Sequence, residues 1–229
     1  MRPEIGKGDF YMLSERAPEA GPTTDLMRKA YARWAPVYDV VYDKLTEPAA
    51  RAAVEAAVAH GPRVLEAGVG TGLSLGYYPR DSFVCGVDLS EDMLKRARGK
   101  VRRKGLTHVK GLQVMDVCRL GYADASFDAV VAQFLITLVP NPEAALSEFL
   151  RVVRPGGGIV LANHFGQSNG PVARVEEIVA PLCIKIGWSS DFKATRIEAW
   201  AQRNGVEVVG LAPTFPGGFF KILRMRKRG

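Results

Sequence analysis

Arg63-Val64-Leu65-Glu66-Ala67-Gly68-Val69-Gly70-Thr71-Gly72 is followed, one short connection later, by Phe83-Val84-Cys85-Gly86-Val87-Asp88-Leu89-Ser90. The first stretch reads as a strand, a glycine-rich turn and the start of a helical segment. The second reads as another strand, ending on a carboxylate. This is the layout of a nucleoside-binding crevice in a doubly wound α/β domain. Glycine lets the backbone take positive φ and lets a ligand come close to the main chain. A carboxylate at the end of the second strand can accept hydrogen bonds from both ribose hydroxyls. The spacing is Glu-x-Gly-x-Gly-x-Gly, unlike the Gly-x-Gly-x-x-Gly of dinucleotide binders. Glu66 would repel a pyrophosphate, but it can hold a cationic amino-acid end through charge-assisted hydrogen bonds.

The alternation continues outward from there. Ser90-Glu91-Asp92 is an acid-rich helix start, and the helix runs to about Lys104. Val109 to Met115 reads as a third strand closed by Asp116, and Phe127 to Ala132 as a fourth, followed by Gln133. A helix is expected over Glu143 to Val153, stopped by Arg154-Pro155-Gly156-Gly157-Gly158, with a fifth strand over Ile159 to Phe165. Helical segments over Pro171 to Gly187 and Arg196 to Arg203 precede two β segments, Val206 to Leu211 and Gly218 to Met225. Strands alternating with helices imply a mainly parallel sheet with helices on both faces. Ahead of the sheet, Met1 to Pro22 reads as a loosely ordered arm. Helices follow around Tyr31, Trp34, Tyr38 and Tyr42, broken near Pro36, and another runs from Glu47 to His60.

A chain of 229 residues fits one well-buried domain, and its 47% hydrophobic content is ordinary for a globular protein. The longest largely apolar run, Ala129 to Val139, contains Gln133 and is too short to span a bilayer. The polar N-terminus lacks an apolar signal core, so a cytoplasmic location is expected. Cys85, Cys118 and Cys183 are far apart and form no Cys-x-x-Cys pair, so reduced thiols and no metal site are expected. The net charge of +7 gathers between Lys95 and Lys104 and again between Lys221 and Arg228. Such runs suit solvated helix faces or tails, and they also suit attraction to a polyanionic surface.

With the glycine loop, Glu66 and Asp88 in place, the chain resembles the class I S-adenosylmethionine-dependent methyltransferases over roughly residues 60 to 165. The resemblance implies a Rossmann-like, seven-stranded, mainly parallel sheet with a C-terminal antiparallel hairpin and N-terminal helices. It implies that Glu66 with Gly68, Gly70 and Gly72 holds the methionine end of S-adenosylmethionine and Asp88 the ribose. Leu89 and Met93 would flank the adenine, Asp116 would accept from its amino group with Val117 nearby, and Gln133 would close the cleft. Asp116 also suits a turn cap. The product would be S-adenosylhomocysteine. The fourth-strand exit, Gln133-Phe134-Leu135-Ile136, lacks the Asn- or Asp-Pro-Pro-aromatic motif of enzymes that methylate exocyclic amino groups of nucleobases. No appended RNA-binding motif is visible either, so no nucleic-acid partner is expected.

A narrower resemblance rests on Tyr31-Ala32-Arg33-Trp34-Ala35-Pro36-Val37-Tyr38-Asp39, on Gln133 to Pro140, and on Ala162-Asn163-His164-Phe165-Gly166. These segments are similar to bacterial phospholipid N-methyltransferases, which convert phosphatidylethanolamine stepwise to phosphatidylcholine. The Tyr-Asp segment is shared loosely with quinone-ring C-methyltransferases. On this resemblance, residues 1–60 form a substrate lid and membrane-contact region, and residues 61–229 the methyltransferase domain. The enzyme would work at the inner face of an anionic membrane, with no obligate protein partner. Tyr31, Tyr38 and His164 are the candidates for positioning or deprotonating the headgroup amine. The aromatic series at helical spacing also suits core packing, and His164 also suits a hydrogen-bonded loop residue. Arg174 and Arg196 are candidate phosphate partners.

Overall fold

The computed structural model describes residues 44–165, 193–214 and 217–229. Helix α1 covers 44–58 within that range. It is followed by β1 (Arg63–Ala67), β2 (Phe83–Asp88), α2 (Glu91–Lys104), β3 (Val109–Val114) and β4 (Phe127–Gln133). Then come α3 (Pro142–Val152), β5 (Val153–Asn163), α4 (Ala194–Arg203), β6 (Val206–Pro213) and β7 (Lys221–Lys227). The seven strands form one sheet in the order β3-β2-β1-β4-β5-β7-β6. The first five are mutually parallel, while β7 runs antiparallel to both β5 and β6. The strand order reverses between β1 and β4, so the connections there leave toward opposite faces and open a crevice at the carboxyl ends.

Both faces are covered, which explains why the central strands are nearly all apolar. On one face Ala49, Ala53, Val54 and Ala57 of α1 and Leu94 of α2 pack with Val64, Val84, Val131 and Val160. On the other, Leu146 and Phe149 of α3 and Ile197 and Trp200 of α4 pack with Leu65, Val130, Ile159 and Leu161. Residues 44–58 therefore belong to the core of the sheet, across the domain limit expected at residue 60. The side chains of α1 that meet the sheet are mostly alanine, so the helix backbone lies close to the strands.

Local chemistry accounts for the helix limits. Ser90 caps α2 by accepting from the Met93 N–H at 3.3 Å, Glu91 and Asp92 occupy the first turn, and Arg102, Arg103 and Lys104 the last. That charge order complements the helix dipole. Gly105 ends the helix in the left-handed conformation at φ 58°. Asn141 caps α3 by accepting from the Ala144 N–H, with Pro142 in the first turn.

Two segments differ from the expectation. The glycines after α3 do not separate helix from strand. Val153 already pairs with Phe127, and regular pairing resumes at Gly158 opposite Ala129, so residues 154–157 form a bulge inside β5. A Cβ at Gly157 would lie 2.5 Å from the Asp128 carbonyl oxygen, which explains glycine at this close approach. In the hairpin, β7 begins at Lys221 rather than Gly218, because Gly217 and Gly218 turn at φ 59° and 79° and leave Phe219 and Phe220 ahead of the strand. The helix expected over Pro171 to Gly187 and the segments before residue 44 lie outside the described residues.

At the amino-terminal rim of the sheet, Asp128 ties three elements together. One carboxylate oxygen accepts from the Arg63 backbone N–H at 2.9 Å, and the other from the Arg154 guanidinium at 2.7 Å and from Arg63 at 3.2 Å. Arg154 also donates to the His60 carbonyl at 2.8 Å. Burial pushes the Asp128 carboxyl up, but the hydrogen bonds from Arg63 and Arg154 outweigh it and hold it below the usual carboxylate range. A depressed value gives stability that is present above the unfolded-state pKa and is lost as the pH falls through the folded one. Asp128→Asn is expected to cost roughly 2 kcal/mol at neutral pH, because it strands two partly buried guanidinium groups. Urea unfolding should show the variant and the parent converging as the pH falls through the depressed Asp128 carboxyl, below the ordinary carboxylate range.

Candidate active site

The carboxyl ends of β1, β2 and β4 and the loops that leave them form the site. After β1 the chain turns through Gly68, Gly70 and Gly72 at φ 69°, 53° and 71°. The Gly68 and Val69 N–H groups both donate to the Val87 carbonyl, at 2.8 and 2.9 Å, which holds the loop against β2. A Cβ at Gly68 would press to 2.8 Å from Leu135, and one at Gly72 to 3.1 Å from the Ala97 Cβ of α2. A Cβ at Gly70 would meet nothing within 4 Å. Gly70 therefore forms the open lip of the loop, and the flanking glycines let it pack.

Asp88 joins the two sides of the crevice. One carboxylate oxygen accepts from the Gly70 N–H at 2.8 Å and the other from the Ser90 N–H at 2.8 Å. Each oxygen keeps a second lone pair for a vicinal diol. Leu89 and Met93, next along the chain, are 70% and 42% exposed, large apolar groups on the rim of this crevice. Asp116 is exposed beyond β3 and accepts from the Cys118 N–H at 2.8 Å, so the turn-cap role is real and leaves carboxylate lone pairs over. Val117 follows Asp116 directly in the chain. Its side chain is buried in the core with Leu120 and Phe127, because the turn at Asp116 directs it inward.

Glu66 lies at the bottom of the crevice and is only 3% exposed. One of its oxygens accepts from the Ser74 hydroxyl, and the other is buried without a hydrogen-bond partner. Burial raises its carboxyl to about 7, against the opposing pull of the Ser74 and Tyr78 hydroxyls. Gln133 projects from the same face of the adjacent strand, two residues beyond Val131, which is the register partner of Glu66. Its Nε2 is also buried without a partner. An unsatisfied acceptor and an unsatisfied donor thus flank the switch point, and each costs free energy unless a ligand completes it. An amino-acid zwitterion has the matching groups, an ammonium for Glu66 and a carboxylate for Gln133. On this observation the residues fit the amino-acid end of S-adenosylmethionine.

The exits of β4 and β5 and the β6–β7 turn meet beside this crevice. Phe134 follows β4 at φ 54°, a strained conformation for a phenylalanine. It is held by its N–H to the Ala162 carbonyl at 2.7 Å and by an edge contact with Phe220. His164, 6% exposed, stacks on Phe219 at 4.1 Å between ring centres. Its Nδ1 lies 2.8 Å from the Phe219 carbonyl. A carbonyl can only accept, so Nδ1 carries a proton and is the donor in this contact. Asn163 faces the other side of β5 and donates to Thr137 at 3.0 Å.

The structure thus brings Glu66, the glycines, Asp88, Leu89, Met93, Asp116 and Gln133 to one rim, with His164 beside them at the end of β5. Tyr31, Tyr38 and Arg174 lie outside the described residues. Arg196 is engaged by a two-pronged ion pair with Glu143, at 2.6 and 2.8 Å. Ser74, Tyr78, Phe219 and Phe220 were missed in the sequence. The Gly217-Gly218-Phe219-Phe220 run marked the last two, since paired aromatics beside a glycine turn at a strand end stand over a cleft.

The basic clusters do not surround this mouth. Lys95 and Arg98, in the first turns of α2, are paired with Asp92 and Glu91. Arg102, Arg103 and Lys104 lie at the far end of the helix, roughly 20 Å away along its axis. Because β7 is antiparallel to β5, Lys221 reaches the mouth while Arg226 and Lys227 lie at the opposite rim. An open groove of about 460 Å³ between α2 and β3 is lined by Lys95, Arg98, Arg102 and Lys110, also away from the crevice.

Comparison with known proteins agrees with this geometry. Residues 65–161 match the methyltransferase domain family. The chain belongs to the S-adenosylmethionine-dependent methyltransferases. Among them it is 45% identical over 204 residues to a phosphatidylethanolamine N-methyltransferase of Cereibacter sphaeroides, covering 89% of this chain and 98% of that one. It is 40% identical over 186 residues to a demethylmenaquinone methyltransferase of Renibacterium salmoninarum, covering 75% and 76% of the two chains. A methyltransferase structure from Aquifex aeolicus superposes with a TM-score of 0.57 at 18% identity, over 73% of this chain and 85% of that one.

The raised Glu66 carboxyl carries a stability cost with a definite sign. Its folded-state value lies above the unfolded one, so the cofactor-free protein loses stability as the pH rises from about 4.5 to about 7. Glu66→Gln removes a cost on the order of 3 kcal/mol at most. Thermal melts without cofactor should find the variant the more stable of the two near pH 8, with the difference vanishing toward pH 5.

Proposed function

We propose that this protein transfers methyl groups from S-adenosylmethionine to the amine of phosphatidylethanolamine at a membrane surface, stepwise toward phosphatidylcholine. The observation that carries the reading is the 45% identity extending over 98% of a phosphatidylethanolamine N-methyltransferase, cofactor and acceptor halves alike. When bound, S-adenosylmethionine supplies an electrophilic methyl on a sulfonium, and S-adenosylhomocysteine is left after transfer. Glu66 and Gln133 take its amino-acid end, the Gly68–Gly72 loop its approach to the main chain, and Asp88 the ribose hydroxyls. Leu89 and Met93 flank the adenine, and Asp116 accepts from its amino group. These groups orient the cofactor and keep water from it, which supplies much of a methyl transfer's rate.

An ethanolamine ammonium has no lone pair until it loses a proton. His164 is assigned that proton, because its ring is anchored through Nδ1–H on the Phe219 carbonyl at the exit of β5. A ring face of Phe134 or Phe219 would attract a small cation beside the site. Tyr31 and Tyr38, with the segment ahead of α1 as lid and membrane contact, complete the assignment. No described helix is long and apolar enough to cross a membrane, which suits a peripheral enzyme of the inner cytoplasmic face. The basic end of α2, on the opposite rim, would turn the mouth away from a bilayer, so docking is assigned to the mouth and the N-terminal segment.

A second reading, a quinone C-methyltransferase, is favoured by the similarity to the demethylmenaquinone enzyme. Purified protein, labelled cofactor and vesicles holding both phosphatidylethanolamine and a demethylated quinone separate the two. Chromatography of the extracted lipids should show label in mono-, di- or trimethylated phosphatidylethanolamine and none in quinone, and the reverse pattern would overturn the proposal. His164→Gln is expected to lower kcat about a hundredfold or more, with a smaller deficit at high pH, where the amine loses its proton unaided.

A further inference from the structure

Glu66, Ser74 and Tyr78 form a buried polar group that cofactor binding must perturb. Ser74 sits in the 3-10 turn Ser74–Gly76 after the glycine loop, and Tyr78 follows it. Tyr78 is 4% exposed, and its hydroxyl is buried without a hydrogen-bond partner, like the second oxygen of Glu66. Each hydroxyl of the group influences the Glu66 carboxyl, and the carboxyl in turn pushes the Tyr78 phenol well above its ordinary range, second only to burial itself.

We propose that Glu66 carries a proton before the cofactor arrives and releases it to solvent when the cofactor's ammonium takes its place, and that Tyr78 is a positioning residue that sets this exchange. The inference rests on the reading that Glu66 receives the ammonium. A buried carboxylate with one oxygen unsatisfied is costly, and a proton removes that cost in the same place where an ammonium would. The two cations exclude each other, so binding must expel one proton per ligand wherever Glu66 is still protonated. The Ser74 hydroxyl donates to Glu66, and the Tyr78 hydroxyl, buried without a partner of its own, can donate to the carboxylate once it is ionised, so both make the release easier. Among the described residues, the charged groups of the neighbouring elements do not supply that help. From β2, Asp88 is committed to the Gly70 and Ser90 N–H groups. From the start of β3, His108 packs at 6.5 Å from the Tyr78 ring, with its Nε2–H donated to the Leu75 carbonyl. From α1, Arg51 lies over the Tyr77 ring and pairs with Glu47.

The experiment is calorimetric titration of the full chain with S-adenosylhomocysteine, which carries the same amino-acid end, in pairs of buffers of different ionisation enthalpy. The buffer dependence of the heat counts protons directly and requires no turnover. About 0.9 of a proton should be released per ligand near pH 6, falling to about 0.1 near pH 8, and affinity should rise with pH over the same interval. Tyr78→Phe removes only the hydroxyl. It should move the pH of half-release upward by roughly half a unit, a change that a purely structural tyrosine would not produce. Ser74→Ala should move it in the same direction, and Glu66→Gln should bind at least tenfold more weakly with no proton released. Tight binding near pH 6 with a proton count of zero would overturn the proposal and leave the cofactor site standing. No binding at any pH would overturn the site reading and the proposal together. Should Tyr78→Phe not fold, the proton count of the parent protein decides the exchange by itself and Ser74→Ala tests the role of the hydroxyls.

Discussion

A single carboxylate determines the shape of the cleft. Asp88 accepts from Gly70 on one side and from Ser90 on the other, and so fixes the distance between the glycine loop and the start of α2. The loop can lie there only because Gly68 and Gly72 tolerate Leu135 and Ala97 at distances a side chain would not. The Val87 carbonyl completes the arrangement by accepting from two successive loop N–H groups. With those contacts in place, the Glu66 carboxyl is enclosed between β1, the 3-10 turn and the neighbouring strand, and its chemistry follows from that enclosure.

The two rims of the sheet divide stability from function. At the amino-terminal rim the charged groups pair off, with Asp128 joining Arg63 and Arg154, and Arg151 joining Glu148, Asp124 and the backbone of the β3–β4 loop, and the His108 Nδ1 is left over. At the carboxyl rim, Glu66, Tyr78, Gln133 and Asn163 each leave a buried polar atom unsatisfied, and Phe134 adopts a strained backbone. Such conflicts persist where the surroundings over-determine them, and they cluster where a ligand completes the structure.

Much of this was legible in the sequence, for identifiable reasons. β1 and β2 came out at their observed limits because the strands are short, apolar and bounded by glycine and acidic residues. The carboxylates and glycines of the crevice were legible because they follow those strands in sequence. β5 was misread at its start, since Arg154 to Gly158 resembles a loop until the Asp128 clamp and the close approach of Gly157 are seen. Tyr78 was missed because nothing local marks it. Its significance comes from a carboxylate twelve positions earlier that only the fold brings beside it. The basic runs were visible as composition, but their separation from the mouth depends on helix direction and on the antiparallel sense of β7.

The β6–β7 turn is supplied by a part of the chain that takes no part in holding the nucleoside. Phe219 and Phe220 reach the site from the far side of the sheet, through β7, and meet His164 and Phe134 there. On the proposed reading the nucleoside is held by residues 63–116 and the amino-acid end also by Gln133, while the acceptor is met by the chain just past β4 and β5 and by the hairpin. A new acceptor preference can be grafted by exchanging the turn and the two exits while the nucleoside half is inherited unchanged. Divergence of that kind would let one scaffold serve reactants as unlike as a lipid headgroup and a quinone ring.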